Sequence, residues 1–232
     1  MKMSPKIVAL VPMRHESVRV PGKNYRAFAG GKPLYHHIVT TLQRCPMVSR
    51  TVVDTDSDAI MSDAAARFPD VMLIRRPEHL RDGAIAMNEV LLHTTSQVPA
   101  DFYLQTHSTN PLLTSETITR GIKKFLASYP QLDSLFSVTR LQARLWDARG
   151  QAINHDRDVL LRTQDLPPVF EENSCIYIFT RDTLVRRRNR IGERPMMFEI
   201  DRREAADIDE EIDFRLAEML YTDARRREEN AA

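Results

Sequence analysis

A stretch near the start of the chain, Arg14-His15-Glu16-Ser17-Val18-Arg19-Val20-Pro21-Gly22-Lys23-Asn24, collects three cations (Arg14, Arg19 and Lys23), a hydroxyl (Ser17) and a turn-forming Pro-Gly pair. Arginine grips anionic oxygens with two parallel hydrogen bonds, and lysine adds a compact point charge. Backbone N–H groups of an irregular loop can form a nest for the same oxygens. The chemistry on offer is phosphate recognition, although the same composition also suits a solvated basic loop. Near the other end stands Asp207-Ile208-Asp209. On an extended backbone, residues two apart point the same way, so the carboxylates converge about 6–7 Å apart while Ile208 turns to the core. Such a pair suits a magnesium ion that keeps water and phosphate oxygens as its other ligands. Alternatively, Asp209 simply caps the helix that follows.

The elements needed to position these residues are legible as a rhythm. Ile7 to Val11 is a continuous apolar run, as expected of a central parallel strand covered on both faces. Pro33 suits the first turn of a helix striped by Leu34, Ile38 and Leu42. Thr51 to Val53 is a second strand. Asp56 or Ser57 can cap a helix carrying Ile60, Ala64 and Phe68. Val71 to Ile74 and Asp101 to Gln105 are further strands, with a helix over 84–96 between them. Thr114 or Ser115 opens a helix reaching about Ser128, and Ser134 to Thr139 is a fifth strand. The alternation predicts an α/β fold with a doubly wound, mostly parallel, Rossmann-like sheet in one domain over 1–232. Residues 141–172 break the rhythm as a polar excursion before a strand over Cys175 to Phe179. A last helix, about 210–227, places Ile212, Leu216 and Leu220 on one face, and the final residues beyond it are expected to fray.

The bulk numbers exclude some functions. Lys and Arg total 33 against 32 Asp and Glu, which argues against a dedicated nucleic-acid or membrane-surface binder. Arg186 to Arg188 and Arg225 to Arg227 read as solvated helix faces beside acidic neighbours. No segment approaches the roughly 18 apolar residues needed to span a bilayer. The run at Ile7 is too short for a secretory segment, and the cysteines, Cys45 and Cys175, read as free thiols. These features suggest the cytoplasm. His36-His37 lies on a helix, where adjacent rings diverge and cannot chelate one ion. The chain has no Gly-x-Gly-x-x-Gly and no Walker motif, which weakens a dinucleotide dehydrogenase or P-loop reading.

A strand followed by Arg14-x-x-Ser17-x-x-x-Pro21-x-Lys23-Asn24 resembles the opening motif of the acylneuraminate cytidylyltransferases, the CMP-sialic acid synthetase family. Asp207-Ile208-Asp209, with Asp213-Phe214-x-x-Ala217-Glu218 after it, is similar to the family's closing motif. The resemblance covers essentially the whole chain. It implies a sheet of the nucleotide-diphospho-sugar transferase type, CTP and an acidic sugar as substrates, and magnesium on Asp207 and Asp209. It also implies a homodimer held by an arm over 141–172, in which Trp146 is a contact candidate. Arg14, Ser17, Lys23, Asn24, Arg76 and Asp82 would bind the nucleotide. Arg19 would stand in for a lysine that the family has after the serine and this chain lacks. Asp213, inside the helix, would meet an arginine or solvent rather than metal.

On the sugar side the resemblance carries Gln105, Asn173 and Tyr177, and His107 lies in a loop of this chain's own. An arginine that the family places before the asparagine is replaced here by Glu171-Glu172, and Arg162 is the nearby candidate to restore positive charge. Glu171 would repel an acid sugar unless it met a cation or an amino group. The implied reaction is attack of the sugar acid's anomeric hydroxyl on the α-phosphate of CTP, with release of pyrophosphate. A 3-deoxy-octulosonate acceptor, a non-catalytic nucleotide-binding relative and a glycosyltransferase remain as rivals.

Overall fold

All seven residues of β1 (Ile7–Met13) are buried, and their alternation builds the fold. Ile7, Ala9, Val11 and Met13 join a core on one face of the sheet, while Val8 and Leu10 join another on the opposite face. A strand sealed on both sides must sit centrally in a layered sheet, and β1 does. A computed structural model, in which residues 4–231 are described, gives the order of the remaining elements. After β1 come a small hairpin of β2 (Ala27–Phe28) and β3 (Lys32–Pro33), α1 (Leu34–Arg44), β4 (Arg50–Thr55), α2 (Asp58–Arg67) and β5 (Met72–Arg75). Then follow α3 (Met87–Gln97), β6 (Phe102–Gln105), α4 (Ser115–Ser128) and β7 (Ser134–Leu141). The last elements are β8 (Val169–Phe179), α5 (Arg181–Arg187), β9 (Pro195–Glu199) and α6 (Glu211–Ala231).

The sheet order is β5-β4-β1-β6-β8-β7-β9, and only the pairs made by β8 are antiparallel. The doubly wound, mostly parallel architecture therefore stands. α1, α2 and α4 cover one face through Ile38, Ile60 and Ile122, whereas α3 and α5 cover the other through Leu91 and Leu184. Ser57 caps α2 by accepting from the Ile60 N–H, and Thr114 caps α4 likewise from Thr117. His36 and His37 diverge as expected. The first meets Asp63, and the second packs edge-on against Phe28 and Tyr221.

A third cluster positions the site. Val20 from the first loop, Phe28, Leu34, Ile208, Phe214 and Ala217 are buried together. At about 1.5–3 kcal/mol for each large side chain removed from water, this patch fastens the start of the chain to its end.

Four expectations need correction. α3 begins at Met87 rather than Ala84, because the Asp82 carboxylate accepts the Ala84 N–H and offers that backbone a turn instead. β8 starts at Val169, so the polar half of the strand pairs with β7 beyond an irregularity between Phe136 and Val138. α6 runs to Ala231, through residues expected to fray. Its buried face is Phe214 and Ala217, while Ile212 and Leu216 are exposed. The aromatic packing of Phe214 on Phe28, with Arg26 over its ring, selects that face.

Between Leu141 and Val169, which are paired in the β7–β8 ladder, the chain makes its excursion. Two side chains brace it from within. Gln142 donates to the carbonyls of Thr163 and Leu166, and Asn154 to those of Ala143 and Pro167. Leu166 is buried, but Trp146 and Leu160 are exposed, at 51% and 88%. The Arg clusters lie on helix surfaces or, for Arg188, just past the end of α5; Arg186 pairs with Asp182, Arg188 with Glu89 and Arg227 with Asp223. Both cysteines are buried and free, and among the described residues no helix is long and apolar enough to cross a membrane.

Candidate active site

The loop after β1 turns at Gly22, whose φ of +67° an L side chain rarely adopts; a Cβ there would also press on the Tyr25 ring. This turn returns Lys23 and Asn24 toward the carboxyl ends of the strands. Asn24 then acts as a clasp. Its Nδ2 donates to the Arg14 carbonyl (2.8 Å) and its Oδ1 accepts from the Ser108 hydroxyl (2.7 Å), joining the first loop to the loop after β6. Between these loops, the 82–90 segment and Asp209 lies a cavity of about 370 Å³. Its lining brings together Arg14, Ser17, Arg19, Lys23 and Asn24 with Arg76, Asp82, His107 and Asp209. Arg14 reaches across to Gly83, where a Cβ would stand 2.5 Å from its Nη1.

Cations and carboxylates meet at one end of this cavity. Lys23 Nζ donates to the Ile208 carbonyl at 2.5 Å, between the two aspartates. Burial holds its pKa below the ordinary lysine range, against the pull of Asp207 and Asp209. Arg19 pairs with Asp209 at 2.7 Å, both side chains being more than half exposed. Ile208 is fully buried, its N–H donating to the Thr109 carbonyl, which orients the residues on either side of it. Burial raises the Asp207 pKa, with Asp209 adding to the rise and a hydrogen bond from Thr109 opposing it. The Asp207 Oδ1 is sealed from solvent with no hydrogen-bond partner. A buried acceptor without a donor is costly, and a bound cation would satisfy it. Among the described residues no cluster of three or more His, Cys, Asp and Glu side chains assembles for a metal. An ion here would take its remaining ligands from water or substrate, as magnesium does. Asp213 meets neither an arginine nor solvent alone. Its Oδ2 accepts the N–H groups of Asp209 and Glu210 and caps α6.

Five expected sugar contacts lie outside the lining of this cavity. Gln105, at the end of β6, is fully buried and accepts from Arg190 Nη1 at 2.6 Å. Tyr177 is buried beside it, its hydroxyl engaged by Glu172 and Ser174. Asn173 is committed elsewhere, because its side chain ties Ser137 and Thr139 of β7 to β8 across the irregular step. Glu171 stands exposed in the ladder opposite Thr139. Arg162 pairs with Asp165 within the excursion at 2.6 Å and is not brought to the cavity by its own chain. Arg76 lines the cavity, yet its Nε is bound to Asp54 at 2.7 Å, with both side chains almost wholly buried. Three contributors went unread in the sequence: Ser108, Thr109 and Arg190. Their partners are distant in the chain and no spacing announces them.

A profile of the family described as cytidylyltransferase matches residues 8–230. The chain belongs to the cytidylyltransferase family. It is 27% identical over 225 residues to CMP-N,N'-diacetyllegionaminic acid synthase of Legionella pneumophila, a match spanning 93% of this chain and 96% of that one. It is 23% identical to pseudaminic acid cytidylyltransferase of Campylobacter jejuni, again over 93% of this chain and 96% of the relative. In fold it is similar to a CMP:2-keto-3-deoxy-manno-octonic acid synthetase solved with CTP, at a TM-score of 0.71 and 16% identity over 94% of this chain and 99% of that one. In this cytidylyltransferase, the motifs from the two ends of the sequence border a single cavity at the carboxyl ends of β1 and β6, where doubly wound sheets bind ligands.

Proposed function

We propose that the protein transfers CMP from CTP to the anomeric hydroxyl of a sialic-acid-like nonulosonic acid and releases pyrophosphate. The observation that carries this reading is the meeting of Arg14, Arg19 and Lys23 with Asp209 around one cavity, Asp207 lying two residues away and just outside its lining. Nucleotidyl transfer demands positioning and charge neutralisation more than a protein nucleophile. The anomeric oxygen attacks the α-phosphorus, the bond from that phosphorus to the bridging oxygen breaks, and pyrophosphate departs. Arg14, Arg19 and Lys23 hold the phosphate oxygens and take up charge on the leaving group. Asn24 keeps the first loop against the loop after β6 while this happens, and Ser17 and Asp82 border the nucleotide. Asp207 and Asp209 are the residues that would hold magnesium, and the sealed, unpartnered Oδ1 of Asp207 fits that role. When bound, the ion offsets charge developing at the α-phosphate and lowers the pKa of the attacking hydroxyl. His107 is held neutral, its pKa pushed down to about 3 by burial and by the charges of Arg190 and Lys23. That disfavours His107 as the base, and in this reading the proton of the attacking hydroxyl is taken up by water.

Pyrophosphate release with CTP and magnesium, measured across N-acetylneuraminate, legionaminate, pseudaminate and 3-deoxy-octulosonate, is the test. Release above background with a nonulosonic acid is expected. Silence with all four while CTP still binds would defeat the reading. A second acceptor is favoured by one observation: half of this chain, 120 residues, is 30% identical to a 3-deoxy-manno-octulosonate cytidylyltransferase of Pelobacter propionicus. Turnover of the octulosonate alone would establish it. The exposed Trp146 and Leu160 make the excursion the contact of a homodimer in this reading, and a monomeric mass by light scattering would contradict that part. The location that goes with the reading is the cytoplasm, where CTP is made.

A further inference from the structure

Behind the cavity's lining lies a cation that neither end motif contains. Arg190, in the connection between α5 and β9, lies over the Tyr177 ring with its guanidinium carbon 3.5 Å from the ring centre. Its Nη1 donates to Gln105 at 2.6 Å, and its backbone N–H donates to the Asn88 side chain. Gln105 and Tyr177 take up at most two of its five N–H donors. Glu172 is the carboxylate that acts on it, yet that group is bound to the Tyr177 hydroxyl, and Arg190 forms no ion pair among the described residues. Burial holds the guanidinium below the ordinary arginine range.

The position of Arg190 relative to the cavity is marked by His107. This ring lines the cavity, feels the charges of both Lys23 and Arg190, and has its Nε2 sealed from solvent without a partner. Gln105, which holds Arg190, ends β6 two residues before His107, so the guanidinium is fastened to the strand end that leads into the cavity lining. A half-buried guanidinium held in one plane by an amide and an aromatic ring, with no ion pair, has donors left to offer an anion. A planar carboxylate matches its fork with two parallel hydrogen bonds.

We propose that Arg190 is the residue that recognises the carboxylate of the sugar acid, with Gln105 and Tyr177 fixing its plane and His107 Nε2 meeting a neighbouring hydroxyl. The inference rests on the proposed reaction and names the specificity determinant within it. It takes over the task that the sequence assigned to Arg162. In this arrangement the Glu172 charge is taken up by the Tyr177 hydroxyl and by the neighbouring Arg190 guanidinium, which offsets its repulsion of the acid.

The test compares the wild-type chain, Arg190→Lys and Arg190→Gln in pyrophosphate release, varying the sugar acid at saturating CTP and then CTP at a fixed high concentration of acid. Each is given the accepted sugar acid and its carboxyl methyl ester. The Gln variant is expected to raise KM for the acid roughly 100-fold, the loss typical of a buried charge partner. Its KM for CTP should change less than about threefold, and it should treat acid and ester alike. Arg190→Lys, which keeps charge but not the fork, should fall between. Wild-type preference for acid over ester in the Gln variant would overturn the assignment. So would an equal rise in both KM values, or loss of CTP binding in both variants, since those mark a structural residue. If the wild-type chain releases no pyrophosphate with any acid, the proposed reaction itself falls and this inference falls with it.

Discussion

Asp209→Ala is expected to lower kcat by about 10³-fold or more while shifting the melting temperature by only a few degrees. The two halves of this expectation have different origins. Charge stabilisation by a metal ion is worth several kcal/mol, and each 1.36 kcal/mol is tenfold in rate. The Asp209 side chain is 51% exposed, however, and its pair with Arg19 lies at the surface, where such pairs contribute about 0.2–1 kcal/mol. No core cavity opens when it is truncated. Asp207→Asn, which keeps the shape and removes the charge, should lose activity comparably. Rates measured against magnesium concentration, alongside thermal unfolding, check both. Wild-type turnover of Asp209→Ala at limiting magnesium would show that these carboxylates are not the metal site.

Asp54→Ala is expected to produce the largest loss of stability of any single change considered. The Asp54 carboxylate accepts from Arg76 Nε at 2.7 Å and from the Thr94 hydroxyl at 2.8 Å, and Arg76 Nη2 also donates to the Asp54 carbonyl. Side-chain exposure is 2% for Arg76 and 1% for Asp54. Removing one member strands a charge where water cannot reach it, at a cost of about 3–5 kcal/mol. In a chain of this size that is a fall of roughly 6–20 °C in melting temperature. The double variant Asp54→Leu/Arg76→Met, which removes both charges, should be less destabilised than Asp54→Ala. If Asp54→Ala melted like the wild type while its KM for CTP rose, Arg76 would belong to the nucleotide after all.

Arg76 also shows where sequence reasoning stops. The motif placed it at the end of β5 beside the cavity, which is correct, but a one-dimensional pattern does not reveal that Asp54, at the end of the neighbouring strand β4, consumes its guanidinium. The strands and capped helices around β1 were legible because each rests on local signals: a continuous apolar run, or Ser57 and Thr114 at helix starts. The face of α6 was not, since apolar side chains at Ile212 and Leu216 compete with Phe214, and only the packing of Phe214 and Tyr221 on Phe28 decides between them. β9 alternates buried and exposed residues, with Met196 and Phe198 turned inward, a period-two signal too short to stand out after a run of arginines. Arg190 left no trace at all. Its partner Gln105 is 85 residues away, and nothing in either segment's spacing refers to the other.

The excursion leaves β7 at Leu141 and re-enters β8 at Val169, two residues that already face each other in the ladder. A segment hinged on a single rung can lengthen or shorten with the sheet left as it is. Doubling such a loop adds only about 0.6 kcal/mol of closure entropy. The cavity, by contrast, is stitched from segments far apart in sequence, Arg19 to Asp209 and Lys23 to Ile208, and has no such freedom. The length of the excursion is therefore free to vary while the joined ends of the chain around the cavity are held.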